Sequence, residues 1–139
     1  MKAFIICSVR GATDEYRRNL EAYVSDLEGK GVKVHLPHRD TDQTARGFDI
    51  CSQNRDAIAA ADEVHIFYSG KSQGTHFDMG VAFALNKKLV VVENEEFGEG
   101  KSYPRMLQEW ENEAKGIEEI TVMGGSPIYV EYEDNTRLS

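Results

Sequence analysis

Long apolar runs, paired cysteines and an excess of basic charge are all missing from this sequence, and each absence narrows what the chain can be. No apolar segment approaches the roughly 20 residues of a membrane-spanning helix, so no association with a bilayer is expected. The two cysteines, Cys7 and Cys51, form no CxxC pair, and nothing at the N-terminus reads as a signal peptide. Both points favour a reducing, cytoplasmic setting over a disulfide framework. Twenty-four acidic against sixteen basic side chains leave a net charge of -8, which argues against a broad nucleic-acid or anionic-membrane surface. Any phosphate must then be met by a few placed groups. The sequence also lacks GxGxxG, a Walker loop and GxSxG, the defining residues of dinucleotide, P-loop and serine-hydrolase sites. Its histidines, His35, His38, His65 and His76, are spaced so that no single element carries three metal ligands, and no metal site is expected.

What is present suits one globular domain over residues 1–139: 40% hydrophobic residues are enough for a core, and the length is too short for two domains. Lys2 to Cys7 is a continuous apolar run, as in a central strand buried on both faces, and a thiol within it reads as a small buried group. After the small-residue loop Ser8 to Ala12, Thr13 and Asp14 are plausible caps for a helix. Tyr16, Leu20, Tyr23, Val24 and Leu27 fall on one face of it, and Gly29 and Gly31 stop it. Val32 to Leu36 alternates as an edge strand ended by Pro37. His38 to Gly47 is charged and aperiodic, and reads as a loop beside the site.

A helix over Phe48 to Ala61 follows, with Ile50, Asn54, Ile58 and Ala61 on one face. Val64 to Tyr68, a polar loop over Ser69 to Gly74, a helix from Thr75 to near Asn86 and the apolar run Leu89 to Val92 make one strand, loop, helix, strand unit. Tyr103 to Lys115 predicts a last helix, stopped by Gly116. Ile117 to Val122 and Ile128 to Tyr132 are alternatives for a last strand, with a turn over Gly124 to Pro127 between them, and Glu133 to Ser139 reads as a frayed tail. The alternation points to an α/β, flavodoxin-like (Rossmann-like) open parallel sheet of about five strands, order 2-1-3-4-5, with helices on both faces. The loops after Cys7 and Tyr68 would then face each other across the switch point, where such sheets bind ligands.

Three features there carry candidate chemistry. Ser8, Arg10 and Gly11 combine a hydroxyl, a guanidinium and a flexible backbone ahead of a helix, which suits either a phosphate cradle or a plain strand-to-helix turn. Asp78 completes Thr-x-x-Asp with Thr75, the pattern of a capping box; a carboxylate beside a glycine-containing loop can equally attack an electrophilic carbon. Asn54 is an amide on an otherwise apolar helix face, a position that requires either a core partner or a ligand. Asp62 reads as a turn or cap residue.

The combination of CSVRG after the first strand, Tyr16, the helix end AIAAADEV and the stretch SQGTHFDMGVAFALNKKLVVV resembles the nucleoside 2-deoxyribosyltransferase superfamily, nearest to its deoxynucleoside 5'-monophosphate N-glycosidase branch. The likeness covers residues 2 to about 110. It implies a carboxylate that attacks the anomeric carbon of a nucleoside or nucleotide, an acid that protonates the departing base, no metal or organic cofactor, and a homodimer or higher homo-oligomer. By the same resemblance Ser8, Arg10 and Gly11 fall on the phosphate side, Tyr16 on the first helix matches a site tyrosine, Ser72 and Gly74 fall on the substrate loop, and Asp78 at the nucleophile. Two positions depart from the pattern: Asp78 stands where the family has glutamate, and Asn54 where it has aspartate. An amide is no acid at neutral pH, a role worth roughly 100- to 10,000-fold, so Asp49, Asp56 and Asp62 are the nearby carboxylates that could replace it. The alternative that follows is a nucleotide-binding or sensing protein with impaired turnover.

Overall fold

The computed structural model describes residues 1–115, 117–123 and 126–131, with side chains described to Glu113. In chain order it contains strand β1 (Lys2–Ile6), helix α1 (Asp14–Gly29), strand β2 (Lys33–His35), a short helix α2 (Pro37–Asp40), helix α3 (Gly47–Ala60), strand β3 (Glu63–Phe67), helix α4 (Gln73–Ala84), strand β4 (Lys88–Glu93) and helix α5 (Tyr103–Lys115). The four strands form one parallel sheet in the order β2-β1-β3-β4. This is the expected α/β, flavodoxin-like sheet, and its strand order reverses between β1 and β3.

The unbroken apolar character of β1 follows from burial on both sides. Phe4 and Ile6 face a core built with Ile58, Met79, Ala82 and Leu107 of α3, α4 and α5. Ile5 faces the other way, onto Leu20 and Val24 of α1. All three β1 side chains are fully sequestered, each worth roughly 1.5–3 kcal/mol of transfer free energy, so a polar residue at any of them would cost most of that. Helix α1 starts where expected, with the Thr13 hydroxyl accepting from the Tyr16 N–H at 3.1 Å and Asp14 and Glu15 in the first turn. It runs through Gly29, and the reversal is made by Gly31 at φ +88°, a conformation that glycine adopts without strain.

Three expectations are corrected. Proline 37 ends the second strand but also opens α2, so the segment from His38 to Gly47 is not all loop. The Asp40 carboxylate accepts from the Leu36 N–H at 2.9 Å, and Arg39 reaches both Glu28 at 3.1 Å and the Val34 carbonyl at 3.1 Å. These polar contacts fasten the segment to α1 and β2, which apolar periodicity could not reveal. Helix α4 begins at Gln73, two residues before the expected Thr75, because Ser72 caps it.

The third correction concerns the far edge. The two segments read as alternatives for a fifth strand are both strands, β5 (Ile117–Met123) and β6 (Ser126–Glu131), and they pair antiparallel with each other instead of extending the parallel sheet. Helix α5 covers β4: the Glu111 carboxylate accepts from the Val91 N–H, and the Trp110 indole N–H donates to the Lys87 carbonyl at 3.0 Å. A main-chain donor of the edge strand thus finds a side-chain partner. Gly116, Gly124, Gly125, Tyr132 and the tail to Ser139, named above as stop, turn, strand end and frayed end, lie outside the described residues.

Candidate active site

At the carboxyl ends of β1 and β3 the chain leaves the sheet on either side of the switch point, and the two loops border a crevice of about 880 Å³. All eight residues singled out from the sequence line it: Ser8, Arg10, Gly11 and Tyr16 from the β1 side, Asn54 from α3, and Ser72, Gly74 and Asp78 from α4 and its cap. Pro37 and His38 of α2 close one end.

The β1 loop is shaped by a turn from Val9 to Ala12, with the Ala12 N–H donating to the Val9 carbonyl at 3.2 Å and Gly11 at φ +70°. Positive φ at the third position explains why glycine is needed there. Arg17 of α1 donates to the same carbonyl at 3.0 Å and holds the turn against the helix. Arg10 projects from this turn and is exposed. Behind it the Tyr16 hydroxyl is pushed up to about 12 by burial, and the Cys7 thiol is pushed up to about 12 by burial and by the charge of Asp78. A thiol held that far from ionisation is an inert packing group, in keeping with its place in the apolar run.

Asp78 is not a helix cap. The Ser72 hydroxyl accepts from the Thr75 N–H at 3.1 Å and so fills the capping role, leaving Thr75 in the first turn and Asp78 in the second. Among the described residues no hydrogen bond or ion pair reaches the Asp78 carboxyl. It lies partly sequestered on the crevice wall, and burial pushes its pKa up to about 7. Burial thus favours its neutral form well above the ordinary carboxylate range, and among the described residues no partner gives it a structural task.

Asn54 is different, since its buried carbonyl oxygen is taken. The Thr41 hydroxyl donates to Asn54 Oδ1 at 2.7 Å, and His35 Nε2 lies 2.9 Å from the same hydroxyl. Because the hydroxyl proton points to Asn54, His35 supplies the N–H of the second bond; burial lowers the His35 pKa, and in the neutral ring this donation selects the Nε2–H tautomer. Its ring is fixed in turn by stacking on Phe4 at 5.3 Å. The Asn54 oxygen is thus engaged by Thr41, and among the described residues no hydrogen bond is made by its N–H₂.

Sequence reasoning did not find the Thr41 and His35 support, nor the place of Lys71, Thr75 and His38 along the crevice. A bond between residues 41 and 54 joins a loop to a helix and has no periodic signature. The three carboxylates considered as substitutes for Asn54 do not line the crevice: Asp49 pairs with Arg46 at 2.8 Å, Asp56 with Arg55 at 3.1 Å, and Asp62 accepts from the Lys2 N–H at 2.7 Å. Among the described residues Asp78 is therefore the one carboxylate of the crevice.

This chain shares its fold with a nucleotide-cleaving enzyme. The structure of the Clostridium botulinum CMP N-glycosidase BcmB matches it with a TM-score of 0.59 and 22% sequence identity, over 81% of this chain and 84% of that one. No family model matches the chain, and no curated protein matches it. At this identity the likeness carries the architecture, and the chemistry has to be argued from the crevice. Among the described residues no helix is long and apolar enough to cross a membrane, and no group of three histidine, cysteine or acidic side chains is placed to hold a metal ion.

Proposed function

We propose that this protein is an N-glycosidase or pentosyltransferase that breaks the N-glycosidic bond of a nucleoside or nucleoside 5'-monophosphate, with Asp78 as the nucleophile. The observation that carries this reading is the state of Asp78: a partly buried carboxyl, relieved of capping by Ser72, without a partner among the described residues, on the wall of the crevice at the switch point. The shared fold with a CMP N-glycosidase supports it. Arg10, with Ser8 and the turn at Gly11, would receive the phosphate, since a guanidinium and main-chain N–H groups beside a helix start favour an anion. Tyr16 would pack against the sugar, and Asn54 would offer its N–H₂ to an acceptor on the base. Ser72 and Gly74 act as architecture for the loop and the start of α4, with room beside Gly74 for a ligand.

The test is release of free base, followed by chromatography, from a panel of ribo- and deoxyribonucleoside monophosphates. Release is expected with the native chain, with a loss of at least about 100-fold in Asp78→Ala. Tight nucleotide binding without release would support the second reading, a nucleotide-binding protein with impaired turnover. That reading is favoured by the amide at position 54, which cannot donate a proton to a departing base.

A further inference from the structure

Breaking an N-glycosidic bond ordinarily asks two things of an enzyme: something to stabilise or attack the sugar carbon, and a proton for the departing nitrogen. Among the described residues this crevice has one carboxylate for both tasks. Among the described residues the other titratable side chains on its walls are Arg10, Lys71, His38, Tyr16 and Cys7, none of them a carboxyl. His38 has its pKa lowered, by burial first and then by Arg17, which favours the neutral ring, while burial pushes the Tyr16 hydroxyl and the Cys7 thiol up to about 12. Asn54 on the crevice wall is held by Thr41 through its oxygen, and an amide can donate a hydrogen bond but cannot transfer a proton. The missing acid is thus built into the site, because the amide is braced by two further side chains.

From this juxtaposition, and resting on the function proposed above, we infer that the preferred substrate is a nucleotide whose base is joined to the sugar as a quaternised, cationic heterocycle and departs as a neutral molecule without a proton. An oxygen of Asp78 bonds to the anomeric carbon as the carbon–nitrogen bond breaks. The electron pair of that bond passes into the ring and cancels its positive charge. Water then attacks the same carbon, the bond to Asp78 breaks, the carboxylate is regenerated, and one proton passes to solvent. The balance is closed by water alone. A cationic ring beside Asp78 also favours the ionised, nucleophilic form of that carboxyl, whereas a neutral base leaves it poised between two forms.

Two matched pairs test this: 7-methylguanosine monophosphate against guanosine monophosphate, and nicotinamide mononucleotide against its reduced, uncharged form, each in ribose and 2-deoxyribose series. The readout is base release relative to spontaneous release of the same compound in buffer, which removes the intrinsic lability of the cationic members. In at least one pair the cationic nucleotide is expected to show an enhancement about 100-fold or more above its neutral partner, the usual worth of a missing general acid. Asn54→Asp, which keeps the acceptor for Thr41 and adds a carboxyl, is expected to narrow that gap by a similar factor. Equal enhancement within both pairs, or a gap that Asn54→Asp leaves unaltered, would overturn this inference while Asp78-dependent release of a neutral base left the proposed function standing. No release from any compound would overturn both.

Discussion

Two ionisable groups lie against the same central strand and are treated in opposite ways. At the heart of β3, His65 is buried, and both of its ring nitrogens are bonded: Nδ1 to the Tyr23 hydroxyl at 2.5 Å and Nε2 to the Glu63 carboxylate at 2.7 Å. Glu63 in turn meets Lys88 at 3.6 Å. On the crevice wall Asp78 is partly sequestered, and among the described residues it has no such company. Burying a polar group is tolerable when its hydrogen bonds are made and costly when they are not. The network around His65 therefore reads as architecture, a polar tie between α1 and the sheet. The isolation of Asp78 costs stability and has no architectural return, the pattern of a group kept available for a ligand.

The contrast is broken most severely at His65. Its replacement by alanine removes a packed ring, leaves the Tyr23 hydroxyl without its partner and leaves the largely sequestered Glu63 carboxylate with Lys88 alone, so a loss of about 3 kcal/mol is expected in denaturant unfolding. Base release per folded molecule should be retained, since this network faces α1 and does not line the crevice. A small stability effect, or a loss of activity in molecules shown to be folded, would mean that the two regions are not separable as described.

At Asp78 the expected sign is reversed. Its folded pKa of about 7 lies above the ordinary value of 3.8, so the folded state holds the proton more tightly than the unfolded chain. Whatever stability this group contributes is then fully present below pH 3.8 and is lost as pH rises through 7. Asp78→Asn removes the penalty of charging a buried carboxyl. The variant should melt higher than the native chain at pH 8, by on the order of 2 kcal/mol or roughly 6 °C after allowance for residual solvent, and should match it near pH 4. A variant less stable than the native chain at pH 8 would reveal a structural partner for Asp78.

Much of the fold and of the crevice could be read from sequence because both rest on repeating patterns. Continuous apolar runs at β1 and β3 pointed to the sheet, and the switch-point rule then brought the loops with Ser8, Arg10 and Asp78 to one place, while Asn54 stood out as an amide on an apolar helix face. The role of Asp78 was not decidable in the same way. Thr75 and Ser72 are both good caps three residues apart, and which one starts α4 depends on how the chain leaves β3. The hairpin of β5 and β6 escaped for a related reason: an apolar run predicts a strand but not its partner. Least legible was the support of Asn54, which runs through a loop threonine and an edge-strand histidine with no shared period.

That support carries the smallest of the expected effects and bears most directly on the contrast. Thr41→Val keeps the shape of a buried side chain and deletes the hydroxyl that joins His35 to Asn54. The loss of two hydrogen bonds, with His35 Nε2 left without its acceptor, should cost about 1–2 kcal/mol. If Thr41 serves only the core, the consequence ends there. If it sets which end of the Asn54 amide faces the crevice, freeing that amide should also reduce kcat/KM for base release by about tenfold, since a misoriented group near a reacting centre is expensive even when it is still present. Thr41→Ser, which restores the hydroxyl and leaves a small gap, should recover the rate more fully than the stability. Recovery of both together would make Thr41 a purely structural residue, and Asn54 would then belong with His65 on the architectural side of the molecule.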